Sequence, residues 1–337
     1  VCWITGYDGP GGAVVVPSSL PATIAGTTVH MKVISIEARA FEGCTNITSI
    51  RIADSIGSIG NLAFADCSNM TSVTFGSGVT VIGDMAFSGC ARLAGASLPA
   101  SILGLGEGAF AGCTGLTSVT LPNQITEIRD FTFSGCAKLT GISVPAKVQS
   151  IGTYSFANCA SITSLALPSS VKTIGLRAFA GCSKLNEVAL GDNLAGIGSA
   201  AFEGCGSLAN VTIPASVTSI GELVFRGCAG LATITVASSN TVYASLEGVL
   251  FDKARTTILQ YPGNRVGDYT IPASVTGMAT GAFDGCKGLT AIAVEEPNTV
   301  YSALDGILFD KALTTLCLYP AGKDGNVTIP AGVHSVG

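Results

Sequence analysis

Histidine and charged residues are scarce in this chain of 337 residues. It has two histidines, His30 and His334, about 300 residues apart in the sequence. Because acid–base catalysis and many metal sites rely on histidine, this scarcity argues against an enzyme. Charged residues make up 12%, against ~25% in typical soluble domains. The net charge is -5 and no basic patch is present, so the electrostatic footprint of a nucleic-acid binder is missing.

Long apolar runs are also missing, although 47% of the residues are hydrophobic. A membrane-spanning helix needs roughly 18 or more consecutive apolar residues, so we expect no membrane insertion of this segment. The chain begins at Val1 without an initiator methionine or a signal peptide. It stops at Gly337, where the repeat described below calls for another Ala-Phe-x-Gly-Cys segment. We therefore expect a processed or excised part of a longer protein.

What the sequence does contain is a strict period. Nine cysteines recur every 23 residues, and a phenylalanine stands three residues before each of them. A fixed period of this size predicts a solenoid, in which each repeat is one coil stacked on the next. The cysteines are Cys44, Cys67, Cys90, Cys113, Cys136, Cys159, Cys182, Cys205 and Cys228, and the phenylalanines are Phe41, Phe64, Phe87, Phe110, Phe133, Phe156, Phe179, Phe202 and Phe225.

The repeat over 208–230 shows how one coil is built. Val211 and Ile213 alternate with polar residues, which predicts a short strand with one buried face. Pro214 ends that strand because it has no N–H to donate. A second extended stretch leads to Ile220, and the Val-Phe-Arg-Gly-Cys segment that follows is interpreted as one tight helical turn. Stacking then places the phenylalanines in one buried spine.

The cysteine column has two interpretations. Neighbouring strands in a sheet lie about 4.8 Å apart, which brings adjacent cysteines near the distance of a disulfide. Nine evenly spaced thiols are an odd set, however, and neither CxxC pairs nor Cys/His spacing of a zinc site occurs. Cysteine is also a good small buried hydrophobe. Free, buried thiols are therefore favoured.

The run Leu-x-x-Val-x-Leu-Pro-x-x-Val-x-x-Ile-Gly-x-x-Ala-Phe-x-Gly-Cys resembles the BspA-like leucine-rich repeat, also called the Treponema-type repeat. Close matches are 116–122 and 174–182, and the resemblance covers about residues 33–337. It implies a curved solenoid with a strand sheet on its concave side. It also implies a secreted or surface-attached bacterial protein associated with adhesion, without shared catalytic residues. Function here is an analogy at the level of the fold.

The regular period breaks after Val236. The next cysteine of this type is Cys286, 58 residues beyond Cys228, and the enlarged unit then repeats at 58. Each insert has the pattern of a hairpin around an Asp-Lys-Ala turn. We predict a β-rich α/β repeat solenoid of about ten coils forming one domain: a capping region over 1–32, regular coils over 33–236, and two elongated units over 237–337, the last coil incomplete.

Most tyrosines fall in the elongated units, and two interpretations of them stay open. Tyrosine is enriched at binding hot spots, which suggests a contact surface. Regular repetition favours the alternative, in which the rings pack the hairpin onto the coil. The candidate contact residues are Tyr243, Tyr261, Tyr301 and Tyr319.

A second candidate surface is the outward side of the first strand of each coil. These positions are small, rich in hydroxyl groups and almost uncharged, and they lack aromatic rings for stacking on sugars. Such a face is suited to many weak hydrogen bonds with an extended partner. Its candidate residues are Arg51, Thr74, Thr120, Glu187 and Asn210.

From these patterns we expect an extracellular or cell-surface binding module that acts in adhesion to a host protein or another cell. The expected partner is an extracellular protein or glycoprotein, without nucleic acid, metal or cofactor, and the chain is expected to act as a monomer. The alternative is a structural stalk that displays another domain. An enzyme is not expected.

Overall fold

The computed structural model describes residues 1–325 and 328–336, which form a β-solenoid of about 13 coils of ~23 residues. The prediction of an α/β solenoid was wrong in its helical part, because the described residues contain strands and turns but no α-helix. The predicted number of about ten coils was too low. Each inserted segment adds a strand of its own, Thr257–Gln260 or Thr315–Leu318, beside the strand of the following coil.

The strands are short, as expected for a coil that turns several times within 23 residues. In chain order the first are β1 (Cys2–Ile4), β2 (Gly12–Val16), β3 (Ser19–Ile24), β4 (Thr27–Ile36), β5 (Ile47–Ile52), β6 (Ser58–Ile59), β7 (Ser72–Thr74), β8 (Val81–Ile82), β9 (Gly95–Ser97) and β10 (Gly104–Leu105). The next are β11 (Ser118–Thr120), β12 (Glu127–Ile128), β13 (Ser150–Ile151), β14 (Ser164–Ala166), β15 (Thr173–Ile174), β16 (Glu187–Ala189), β17 (Gly196–Ile197), β18 (Asn210–Ile213), β19 (Ser219–Ile220) and β20 (Thr233–Val236). The last are β21 (Tyr243–Leu246), β22 (Val249–Asp252), β23 (Thr257–Gln260), β24 (Gly267–Ile271), β25 (Gly277–Met278), β26 (Leu289–Val294), β27 (Tyr301–Leu304), β28 (Ile307–Asp310), β29 (Thr315–Leu318) and β30 (Ser335–Val336).

Most regular coils contribute to two parallel stacks. The Leu-x-x-Val-x-Leu segments form the longer strands, such as β5 and β7, whose outward positions we call the strand face. The Ile-Gly segments form two-residue strands, such as β13 and β15, which we call the isoleucine sheet. Pairing is offset by one repeat, as in Ser49 with Ser72, so like residues lie above like.

The first residues join both stacks. Strand β1 pairs in parallel with β4, and β2 pairs in parallel with β5. Strands β1 and β2 flank a glycine-rich turn and lie within the predicted capping region over 1–32. An antiparallel hairpin of β3 and β4, which the sequence did not suggest, follows them.

The predicted phenylalanine spine is confirmed. Its nine side chains are at most 2% exposed. Successive rings stack with centroids 4.9 to 5.8 Å apart, from Phe41–Phe64 to Phe202–Phe225. Each ring thus removes its faces from water against the rings before and after it, and burial of one such side chain contributes about 1.5–3 kcal/mol.

The segment before each spine phenylalanine is a chain of tight turns rather than a helix. Its backbone hydrogen bonds run partly between coils, as from Phe64 N to Ala86 O (2.7 Å) and from Phe87 N to Ala109 O (2.8 Å). The residue two positions before the phenylalanine adopts a positive φ, 59° at Leu62 and 53° at Met85. A left-handed residue interrupts any helix, so the helical interpretation fails for this reason.

The cysteine column is made of free thiols. From Cys67 to Cys228, each thiol donates a hydrogen bond to the carbonyl of the spine phenylalanine one coil earlier, as from Cys113 Sγ to Phe87 O (3.1 Å). The column therefore joins neighbouring coils through S–H···O contacts, and its repetition has a structural cause.

The elongated units contain the predicted hairpin between β22 and β23, extended by a third strand, β21. One buried amide fixes each hairpin to the preceding coil. Asn240 donates to Pro214 O (2.8 Å) and Val217 O (2.9 Å) and accepts from Val242 N and Tyr243 N. Asn298 has the same arrangement in the second unit.

Candidate functional site

The predicted residues of the strand face are exposed, but they do not form one cluster. Arg51 on β5 pairs in register with Thr74 on β7. Glu187 and Asn210 lie one repeat apart, and six repeats separate Glu187 from the coil of Arg51. At about 4.8 Å per coil this distance is close to 30 Å. Thr120 lies between the two groups, so a partner that used all five would have to be extended.

Several hydroxyl groups of the strand face are already occupied within the chain. Thr71 Oγ1 donates to Thr48 O (2.9 Å), and Thr117 Oγ1 donates to Ala94 O (2.9 Å). Thr140 Oγ1 continues the series with Thr117 O (3.3 Å). These donors link coil to coil, which reduces the hydrogen bonding that the face has left for a partner.

The tyrosines of the elongated units mostly pack inside. Tyr261 is 0% exposed and Tyr301 is 8% exposed, so their rings have little or no surface for a partner. Burial raises the pKa of both phenols. Tyr243 is half-buried, and its hydroxyl accepts a hydrogen bond from Ile220 N (2.9 Å). Packing therefore explains these three residues, and only Tyr319, at 41% exposed, remains from the predicted tyrosine surface.

Large exposed side chains also lie where no site was predicted, at the residue two positions before the spine phenylalanine. We call Met85, Gly108, Phe131, Tyr154 and Arg177 the turn ridge. Phe131 is 43% exposed and Met85 48% exposed. The Phe131 and Tyr154 rings stack with centroids 5.2 Å apart and planes 6° apart, and the Arg177 guanidinium lies 5.9 Å from the Tyr154 ring centre.

The backbone explains why the ridge projects. Phe131, Tyr154 and Arg177 have φ values of 56°, 53° and 51°. A left-handed residue costs on the order of 1 kcal/mol outside glycine and asparagine, and the hydrogen bonds between coils hold it in place. From Phe131 N to Thr153 O, for example, the distance is 2.9 Å.

A charged group borders the ridge. Arg129 lies 3.1 Å from Glu107, 3.5 Å from Asp84 and 3.6 Å from Glu127, measured between guanidinium nitrogens and carboxylate oxygens. Asp130 lies beside it and accepts a hydrogen bond from Thr153 N (2.7 Å). Carboxylates outnumber cations here, so the border of the ridge is negative.

Arg129 also occupies a position that is glycine in the neighbouring coils. A Cβ built on Gly106 would lie 2.3 Å from Asp84 N, and one on Gly152 would lie 2.6 Å from the carbonyl carbon of Arg129. The isoleucine sheet therefore needs glycine for the coils to approach closely. Arg129 carries a Cβ, and its coil cannot approach the preceding one in the same way.

The isoleucine sheet is interrupted at this coil. In the coils on either side, Gly106 N donates to Ile82 O (2.8 Å) and Gly152 N donates to Ile128 O (2.7 Å). Within the described ranges, no such bond joins Arg129 N to Leu105 O, and β10 and β12 belong to different sheets. A groove with a volume of about 350 Å³ lies at this junction. Its lining includes Val81, Leu103, Gly104, Glu127 and Arg129.

The sequence contains a signal for this region that strand-based reasoning passed over. At the ridge position most coils vary freely, but Phe131 and Tyr154 are consecutive aromatics, and Arg129 breaks the Ile-Gly pattern two residues earlier. Both departures fall in a repeat that is otherwise strict. A comparison of the coils column by column would have marked them.

The residues that chemistry would use are dispersed. His30 lies on β4 near the first coils, and His334 lies directly before β30. Across 1–325 and 328–336, no three histidine, cysteine, aspartate or glutamate side chains are grouped so as to hold a metal ion. The same residues include no helix with the length and apolar character needed to cross a bilayer.

The chain matches the model of the BspA type leucine rich repeat region, with six copies over residues 34–163 and 149–264. No curated protein matches it. Among solved structures, a leucine rich cell surface protein from Faecalibacterium prausnitzii is 25% identical with a TM-score of 0.51, over 86% of this chain and 71% of that one.

Two further similar structures are described as leucine-rich repeat proteins. The T. pallidum leucine rich repeat protein is 27% identical with a TM-score of 0.41, over 68% of this chain and 82% of that one. A leucine-rich repeat protein from Bacteroides ovatus is 22% identical with a TM-score of 0.35, over 86% of this chain and 88% of that one.

Proposed function

Because the chain belongs to the family of BspA-type leucine-rich repeat proteins, we propose that it is a non-enzymatic binding module that acts outside the cell. Its role is adhesion of a bacterial cell to a host protein or to another cell. The F. prausnitzii protein is described as a cell surface protein, which supports the same location for this chain.

The turn ridge is the observation that carries the proposal. Methionine, phenylalanine, tyrosine and arginine are enriched in the cores of protein–protein interfaces, and tyrosine and arginine dominate hot spots. Met85, Phe131, Tyr154 and Arg177 bring these four residue types together within five successive coils, with Gly108 between Met85 and Phe131. An exposed group of large apolar side chains on a folded protein marks an interaction site.

The geometry of the rings favours a protein partner over a sugar. Stacking on a sugar needs an open ring face, but Phe131 and Tyr154 cover one another at 5.2 Å. Arg177 lies on Tyr154 as well. The ridge presents ring edges, the face of Phe131 turned away from Tyr154, and the Met85 side chain, and these suit apolar and edge-to-face contacts with protein side chains.

The test is a binding screen of the purified chain against immobilised extracellular matrix proteins and mucins, with a glycan array in parallel. We expect saturable binding to a protein. Replacing Phe131 and Tyr154 by serine should weaken it about a hundredfold, since two hot-spot side chains of ~1.4 kcal/mol each are lost. The matched control is Tyr319→Ser, which removes an equally exposed aromatic ring from the elongated units.

The same screen separates the two surfaces. Charge reversal of Arg51 and Glu187 should leave binding unchanged if the ridge is the contact. Loss of binding in those variants, with the ridge variant still active, would place the contact on the strand face instead.

A structural stalk is the second candidate, and one observation favours it. Threonine hydroxyls of the strand face donate hydrogen bonds to the neighbouring coil, as Thr71 does to Thr48 O. A surface of that kind stiffens a rod without needing a partner. If the chain is folded by circular dichroism and binds nothing in the screen, that result would support the stalk and contradict the binding module.

A further inference from the structure

We propose that the groove beside the turn ridge binds a basic, apolar segment of the protein partner, with a lysine or arginine next to a leucine, isoleucine or phenylalanine. This inference rests on the proposed function and specifies the chemistry of its partner. It follows from the apolar walls of the groove, its open floor and the sign of the charge around it.

The apolar walls come from two exposed side chains. Leu103 is 63% exposed and Val81 46% exposed, and both line the groove. Met85 and Phe131 of the ridge are also exposed, and they follow the groove residues Asp84 and Arg129 by one and two positions. Water contacts four large apolar side chains here, and covering them is the main favourable term available to a partner.

The floor of the groove is open at Gly104, which differs in this respect from Gly106 two residues later in the same coil. A Cβ on Gly104 would meet no heavy atom within 4 Å, whereas one on Gly106 would collide with the coil before it. At Gly104 the column therefore has a space between Val81 and Glu127. The break between β10 and β12 lies at the same place.

The charge around the groove selects the partner. Asp84, Glu107 and Glu127 surround the single guanidinium of Arg129. Each of these carboxylates is 47% exposed or more, so water and an incoming cation reach them. These carboxylates would repel an acidic segment of a partner. A basic side chain would instead add positive charge next to carboxylates that Arg129 neutralises only in part.

Arg129 makes the proposal testable in both directions. It neutralises part of the acidic border, so it competes with a cation from the partner. Removing its charge should strengthen binding of a basic segment, while removing a carboxylate should weaken it. A merely structural role for these residues would give losses in both cases.

The experiment selects random linear peptides displayed on phage against the immobilised chain. We expect enrichment of lysine or arginine beside a large apolar residue. Selected peptides are then synthesised with a fluorophore and measured by anisotropy. Glu107→Gln should weaken binding about fivefold and Leu103→Ser about tenfold, the scale of one charge pair and of one buried leucine. Arg129→Gln should strengthen it severalfold.

Matched controls are available on the same solenoid. Glu222 has the repeat position of Glu107 five coils away and is exposed, so Glu222→Gln should leave binding unchanged. Leu304, which is also exposed, controls for Leu103 in the variant Leu304→Ser. Higher salt should lower the affinity, because exposed charges are screened.

Acidic peptides, no enrichment, or equal affinity in Leu103→Ser and wild type would overturn the inference. Such a result would not by itself overturn the proposed function. If whole protein partners still lose binding in the Phe131 and Tyr154 variant, the ridge binds protein and only the assignment of the groove is wrong.

Discussion

Two columns of the same coils, only two residues apart, differ in the variety and in the exposure of their side chains. The spine column is phenylalanine in all nine regular coils and is buried. The column two positions earlier contains leucine, methionine, glycine, phenylalanine, tyrosine and arginine, and several of these side chains are exposed. Both columns have the same spacing along the solenoid, so the backbone alone does not account for the difference.

The difference follows from what each side chain contacts. A spine ring is enclosed by the rings above and below, and a change of size at one coil leaves a cavity or a clash. A residue in the ridge column has to adopt only a positive φ, and residues as different as Leu62 and Arg177 do so. A buried column with one residue type therefore contributes to the stability of the fold. An exposed column with varied residues can contribute to recognition of a partner.

Alkaline pH should give the largest effect, because it acts on every buried thiol at once. Burial raises the pKa of Cys67 to about 12, and it also raises the pKa of Cys113 and Cys136. An unfolded thiol has a pKa near ~8.5. Above that pH the unfolded chain loses protons that the folded chain keeps, so the free energy of unfolding falls as pH rises.

A thiol that stays protonated only in the folded chain removes about 1.4 kcal/mol per pH unit, and nine cysteines from Cys67 to Cys286 are buried, so their effects act in the same direction. Urea midpoints followed by circular dichroism at pH 7, 8, 9 and 10 measure this. Replacing Cys113 and Cys136 by alanine should make the dependence shallower. A midpoint that is independent of pH up to pH 10 would show that the thiols are not enclosed.

Truncating one ring in each column sharpens the comparison directly. Phe133→Ala should lower the free energy of unfolding by about 3–5 kcal/mol, since it opens a cavity in the stacked spine. Phe131→Ala should lower it by about 1 kcal/mol or less, because only the exposed stack with Tyr154 is lost. Thermal melts of the two variants check this, and equal shifts in melting temperature would contradict the distinction between the columns.

The spine and the coil stacking could be predicted from the sequence, since enclosure forces one residue type at one spacing. The helical turn was mispredicted for a physical reason. A pair of apolar residues such as Val224-Phe225 is compatible with a helical turn and also with a tight turn. The sequence therefore does not show whether the backbone N–H groups bond within the turn or to the next coil, as Phe64 N does with Ala86 O. The ridge was missed because an exposed position has no periodic constraint, and only a comparison of the coils at that one position shows that Phe131 and Tyr154 are consecutive aromatics.

Glycine substitutions within one coil test how closely the coils approach. A Cβ on Gly198 would lie 2.6 Å from the carbonyl carbon of Gly175, whereas one on Gly196 would meet its nearest atom at 3.9 Å. Gly198→Ala should therefore lower the free energy of unfolding by about 1–3 kcal/mol. Gly196→Ala should leave it unchanged or raise it by up to ~1 kcal/mol, because alanine restricts the unfolded chain. Urea denaturation of both variants measures the difference.

The smallest expected effect concerns Arg129, which lies between the two kinds of column: it is exposed, yet it occupies a position that is glycine in the coils around it. Arg129→Gly should let its coil approach Leu105 and form the missing backbone bonds, worth about 1 kcal/mol each. Weaker ion pairs and the flexibility of glycine offset part of this, so a net gain of about 1 kcal/mol is expected. Arg129→Ala removes the same ion pairs but keeps a Cβ, so it should give no gain. Hydrogen exchange at Thr126 and at residue 129 follows the junction itself, and slower exchange in Arg129→Gly but not in Arg129→Ala would show that the side chain holds the groove open.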